Sequence, residues 1–103
     1  MILDPLHIIL AVLCAATGVS PAYAACIIEH ESAWQPDAVG AAGEIGLAQI
    51  LPDTGEWLAG LAGIEWDEQR LYGSVYSMRL LVTGLKRGYA RLWHTEYLCR
   101  ECE

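Results

Sequence analysis

Glu31 closes an apolar run, Ala24-Ala25-Cys26-Ile27-Ile28, and Ser32 follows it directly. Ala24, Ile27, Ile28 and Glu31 fall at i, i+3, i+4 and i+7, so a helix places the acid on its apolar face and in its last turn. That is a suitable position for a general acid. Apolar neighbours disfavour the charged carboxylate, and so does the partial negative charge at a helix C-terminus. Together they would raise its pKa above the ordinary glutamate value of about 4.3, so that a proton is available near neutral pH. Glu29 points away from this face and reads as solvated. Downstream lie a polar, Gly-rich stretch and then a second apolar segment, Ile45-Gly46-Leu47-Ala48-Gln49-Ile50-Leu51, with Gln49 isolated among hydrophobic residues. Asp37, Glu44 and Asp53 are the other acids close to this region.

The elements that must position these groups read mainly as helices. Asp4 and Pro5 suit an N-cap and first helical residue, and Gly18 suits a left-handed stop, giving a helix over residues 4–16. Ser20-Pro21 restarts the chain as a second helix over residues 21–32. Gln35-Pro36-Asp37 breaks the pattern, and residues 33–43 read as a loop. Residues 45–51 suit a short helix or a strand, since their length does not separate the two. A third helix is expected over residues 54–61, then a loop to Arg70. The last helix spans residues 73–92, with Val75, Met78, Leu81, Val82, Leu85 and Tyr89 as its buried stripe. His94 to Glu103 is a polar tail.

Glu31-Ser32, Gln35-Pro36, Ala38, Gly43, Gly46-Leu47-Ala48-Gln49 and Pro52-Asp53-Thr54 together resemble the signature of the soluble lytic transglycosylase and goose-type lysozyme family. Its pattern is Glu-Ser, Asn-Pro, Ala, Gly-Ala-x-Gly-Leu-Met-Gln and Pro-x-Thr. The resemblance covers residues 15–58 well and the rest loosely. It implies a lysozyme-like helical domain that cleaves the glycan strands of peptidoglycan without a metal or cofactor. Glu31 becomes the single acid and base, and Ser32, Gly46, Leu47, Ala48, Gln49 and Tyr89 become substrate-binding residues. Trp34 and Trp57 are candidates for stacking on sugars, or for ordinary packing. The implied reaction closes a 1,6-anhydro ring on N-acetylmuramic acid. A hydrolytic lysozyme would more often pair Glu31 with Asp37, Glu44 or Asp53, and a non-catalytic wall-binding or assembly module would keep the cleft without turnover.

Three positions depart from the pattern. Gly40 stands where the family has a serine, and Ala48 where it has a methionine. The late Ala-x-Tyr-Asn-x-Gly motif, whose tyrosine helps to hold the acid, is missing; Tyr76, Tyr89 and Tyr97 are the candidates to replace it, and Ser77 stands where an Asn is common.

Composition limits the surroundings. The 103 residues suffice for one domain, and 54% are hydrophobic, which excludes a disordered chain. Thirteen acids against six Lys and Arg give a net charge of −7, which excludes a nucleic-acid partner and suggests that a larger envelope or phage assembly delivers the chain to an anionic wall. Residues 6–25 have an apolar run and Ala22-Tyr23-Ala24 fits a leader cleavage site, but no Lys or Arg precedes Arg70. A core helix is the preferred reading, and the run is too short to span a bilayer, which takes about 20 apolar residues. Cys14, Cys26, Cys99 and Cys102 allow a Cys99–Cys102 or a Cys26-to-tail disulfide, in keeping with a periplasmic, extracellular or virion location. A zinc site at the tail cysteines with His94 is the weakest alternative, because a second Cys pair is lacking.

Overall fold

The computed structural model describes residues 4–93 and is mainly α-helical. Four helices, α1 (Pro5–Thr17), α2 (Pro21–Ser32), α3 (Pro52–Ala62) and α4 (Ser74–Lys86), are joined by loops and by two 3-10 helices, Glu68–Tyr72 and Ala90–Trp93. The helix starts follow the sequence chemistry. Asp4 accepts the Leu6 N–H at 2.8 Å, Ser20 accepts that of Tyr23 at 3.2 Å, and Pro5 and Pro21 fill the positions where a missing N–H costs nothing. Gly18 stops α1 at φ +80°.

α1 packs on α2 and α4, and α3 also packs on α4. Leu10 and Cys14 of α1 join Ala24, Ile27, Ile28, Leu58, Met78, Leu81 and Trp93 in a single hydrophobic core. α1 is therefore a core helix. Burial pushes the Cys14 thiol up, which keeps this free cysteine protonated as a packing group. Leu10→Ala is expected to cost about 2–5 kcal/mol of stability, read by urea denaturation. A helix that served only as a leader would leave stability unchanged.

Four expectations are corrected. α4 ends at Lys86 and does not run on to Leu92, because Gly88 takes φ +86° and the Tyr89 N–H turns back to the Gly84 carbonyl at 2.9 Å. The buried face of α4 is accordingly Ser77, Met78, Leu80, Leu81, Val82 and Gly84, while Val75 and Tyr89 are exposed. Residues 45–51 form neither helix nor strand. Ile45 and Ile50 exchange both backbone hydrogen bonds, at 3.0 and 3.1 Å, and pinch residues 46–49 into a tight turn. α3 begins two residues before the expected Thr54, with Pro52 in its first turn. The expected loop to Arg70 already contains the start of the Glu68–Tyr72 3-10 helix, capped by Asp67. No helix among the described residues is long and apolar enough to cross a membrane.

Candidate active site

α2 delivers Glu31 as the periodicity requires. Ala24, Ile27 and Ile28 are fully buried, and Glu31 sits half-buried on the same face one residue before the helix ends. The chain then leaves α2 through two consecutive left-handed residues, Ala33 (φ +50°) and Trp34 (φ +64°). Trp34 is held in place by His7 of α1, stacked at 3.9 Å between ring centroids, so it packs against α1 and does not stand free. Glu31 opens onto a cleft that is also lined by Glu44, Gln49, Ile50, Leu51, Thr54, Leu92 and Trp93.

The 46–49 turn contributes Gln49 to this lining, and its backbone is anchored by side chains from three elements. Ser32 Oγ donates to the Leu47 carbonyl at 2.7 Å and to the Ile28 carbonyl at 3.2 Å, tying the turn to the helix that carries Glu31. Ser77 Oγ of α4 accepts the Ala48 N–H at 3.2 Å. Trp93 Nε1 donates to the Ala48 carbonyl at 2.8 Å. The Ala48 residue is thus gripped on both sides, in a buried setting where each hydrogen bond is costly to lose. Trp93 finds room because Gly84 has no side chain: a Cβ there would lie 2.6 Å from the indole ring.

These contacts give several site residues their place. Ser32, Gly46, Leu47 and Ala48 are buried, Leu47 and Ala48 completely, so as placed they shape the wall from behind and their side chains present no surface to a glycan. Gly46, at φ +81°, is where the turn backbone meets the Leu71 carbonyl, a closer approach than any Cβ would permit. Gln49 does face the cleft. Its amide N–H groups go to the Ala38 and Gly46 carbonyls at 3.1 and 3.0 Å, which leaves its carbonyl oxygen for a ligand. Gly40, the serine-to-glycine departure, leaves space for the side chains of Glu44 and Gln49; a Cβ would come within 2.7 Å of an oxygen on each.

Of the three acids weighed as partners for Glu31, only Glu44 lines the cleft. Its Oε1 accepts the Ala42 N–H at 2.7 Å, which fixes the carboxylate at the cleft edge. Asp37 and Asp53 are exposed and outside the lining. Among the candidates to replace the missing tyrosine, Tyr76 is engaged elsewhere, donating to the Glu65 carbonyl at 2.8 Å. Tyr89 packs edge-on against Trp57 at 4.7 Å. Tyr97 lies outside the described residues. The residue that sequence reasoning missed is Trp93, which lines the cleft beside Glu31 and also clamps the turn. Gly84 on the buried face and the helix-breaking Gly88 were the available signals. Cys26 is disulfide-bonded. Cys99, Cys102 and the proposed zinc ligand His94 lie outside the described residues, and no cluster of three metal-ligating side chains occurs among those described.

Comparison with known proteins turns this arrangement into a family assignment. The model of the transglycosylase SLT domain matches residues 12–90, which takes in α2, the 46–49 turn, α3 and α4. The chain belongs to the transglycosylase SLT domain family. The match extends the sequence resemblance through α4 and up to the Trp93 segment. Among solved structures, the chain is similar to the lytic transglycosylase Slt of Pseudomonas aeruginosa, solved as an inactive mutant, with a TM-score of 0.73 and 24% identity. That alignment covers 80% of this chain and 14% of that one, so the likeness is to the lysozyme-like fold of one part of a much longer protein. The search of curated proteins returns no match.

Proposed function

We propose that this SLT-family chain cleaves peptidoglycan glycan strands as a lytic transglycosylase, with Glu31 as its only acid and base. The observation that carries the reading is half-buried Glu31 at the end of α2, sharing a cleft with Gln49, whose turn is hydrogen-bonded to that same helix through Ser32. Such a link keeps the acid and the sugar-binding groups in register, as acid catalysis requires.

The steps balance without water. Protonated Glu31 gives its proton to the oxygen joining C1 of N-acetylmuramic acid to N-acetylglucosamine. The C1–O bond breaks, and the departing sugar leaves with a free hydroxyl. The acetamido oxygen of the muramoyl residue stabilises the cationic carbon. Glu31, now a carboxylate, removes the proton of the muramoyl 6-hydroxyl as that oxygen bonds to C1, which closes the 1,6-anhydro ring and restores the acid. A second protein carboxylate has no task in this sequence, in contrast to the two-carboxylate hydrolases. Whole sacculi digested with the pure chain should release anhydro-muropeptides, detected by mass. Binding without release would instead make the chain a non-catalytic wall-binding module.

Glu44 is the specific observation that favours a second reading, hydrolysis, because a second carboxylate lining the same cleft could direct water to C1. The two readings separate in Glu44→Gln. Under the transglycosylase reading anhydro products persist, whereas a hydrolase that used Glu44 as base would lose about 10²-fold or more in rate. The setting proposed for the activity is the periplasm, the cell exterior or a virion, which the Cys26 disulfide supports. The net charge of −7 favours delivery to the anionic wall by a larger assembly.

A further inference from the structure

Thr54 and Leu92 line the cleft, and each leads directly to an exposed aromatic ring. Trp57 is one helical turn beyond Thr54 on α3, and so on the same side of that helix. Tyr89 is one turn before Leu92, its carbonyl accepting the Leu92 N–H at 3.0 Å. The two rings meet edge-to-face at 4.7 Å while remaining 44% and 41% exposed. Leu51 and Leu92, also exposed, belong to the cleft itself. The apolar surface around the cleft is therefore continuous with the aromatic pair.

The charges that flank Tyr89 in the chain run against the net charge of the molecule, while on the Trp57 side the exposed neighbour is Glu56. Lys86, Arg87 and Arg91 flank Tyr89 in the chain, and all three are exposed. They are half of the six Lys and Arg residues in a chain of net charge −7. Arg87 reaches back to the Leu61 carbonyl at 3.4 Å, a neutral partner that leaves its charge uncompensated.

We infer that Trp57 and Tyr89, together with Lys86, Arg87 and Arg91, form a subsite for a peptide-bearing sugar of the strand, next to the cleft that holds the scissile bond. The inference rests on the glycan-cleaving reading above and specifies which part of the substrate is recognised. One face of a pyranose ring carries C–H groups and suits an aromatic surface, as sugar and cofactor sites commonly show. The carboxylates of the stem peptide match the cations. A neutral chitin strand offers the ring without the charge.

The test uses the full chain carrying Glu31→Gln, titrated with N-acetylglucosamine hexamer and with peptide-bearing peptidoglycan fragments of the same sugar count. The peptide-bearing strand should bind about tenfold tighter at low salt, with the advantage falling away as salt rises. Adding Trp57→Ala should weaken both ligands about tenfold, with the fold kept, as read by circular dichroism, because the ring is half exposed and outside the core. Tyr89→Leu should act in the same direction. Equal affinity for the two ligands at all salt concentrations would overturn the cationic part. Undiminished binding in both aromatic variants would overturn the subsite while wild-type cleavage still stood. Failure of wild type to release any glycan, with no binding to either ligand, would remove the functional reading on which the subsite rests.

Discussion

Under the proposed function, Glu31→Gln should lower glycan release by about two to four orders of magnitude, the range over which a positioned acid–base group contributes to a rate, and should leave the fold intact. Glutamine keeps the shape of the side chain and its hydrogen-bonding oxygen but has no proton to give at neutral pH. The residue is half-buried at the end of α2, so the core face of Ala24, Ile27 and Ile28 is untouched. The 46–49 turn is held by Ser32, Ser77 and Trp93, none of which depends on the Glu31 charge. Circular dichroism and the melting temperature should match wild type, and glycan binding should persist. A variant that loses activity and stability together would make Glu31 a structural group.

Gly46→Ala should lower stability as much as emptying a core position does. The backbone there takes φ +81°, which costs a residue with a Cβ roughly 1–2 kcal/mol. The added methyl would also collide with the Leu71 carbonyl oxygen and press on Ser77, the residue that anchors Ala48. Overpacking of this kind costs about 1–3 kcal/mol, and because the obstacle is backbone no rotamer change relieves it. Together the two effects amount to about 2–5 kcal/mol, a large fraction of the stability of a domain this small. Gly43→Ala is the control. Its φ of +92° carries the same backbone penalty, but open space surrounds it, so it should lose only the backbone part. Urea denaturation of the two variants measures the difference, and equal losses would show that the Leu71 contact is not limiting.

The sequence was most readable where local periodicity decides the structure. The face of α2, its caps and the placement of Glu31 follow from the spacing of four residues and from Ser20-Pro21. The 46–49 turn was not readable in this way. Its shape depends on hydrogen bonds from Ser32, Ser77 and Trp93, which lie far apart in the chain, and a short apolar run carries no signal of such anchors. The motif falls on this turn, where Leu47 and Ala48 are buried in the core and Gly46 meets the Leu71 carbonyl. Leu85 and Tyr89 share a helical spacing, which on periodicity alone puts Tyr89 in the stripe of a long helix. Gly88 breaks that helix and turns Tyr89 out to Trp57, an effect of one left-handed residue that periodicity alone does not register. The same break brings Trp93 back into the core beside the cleft, where Gly84 makes room for it.

The central claim is that Glu31 cleaves the strand by passing the proton of the substrate's own 6-hydroxyl, with no water consumed. Digestion of sacculi in heavy-oxygen water tests it most directly. The account predicts soluble muropeptides one water lighter than hydrolysis products, free of heavy oxygen at the muramoyl C1, and absent when Glu31→Gln replaces the wild type. Reducing ends that carry heavy oxygen, or soluble products that survive in Glu31→Gln, would contradict it.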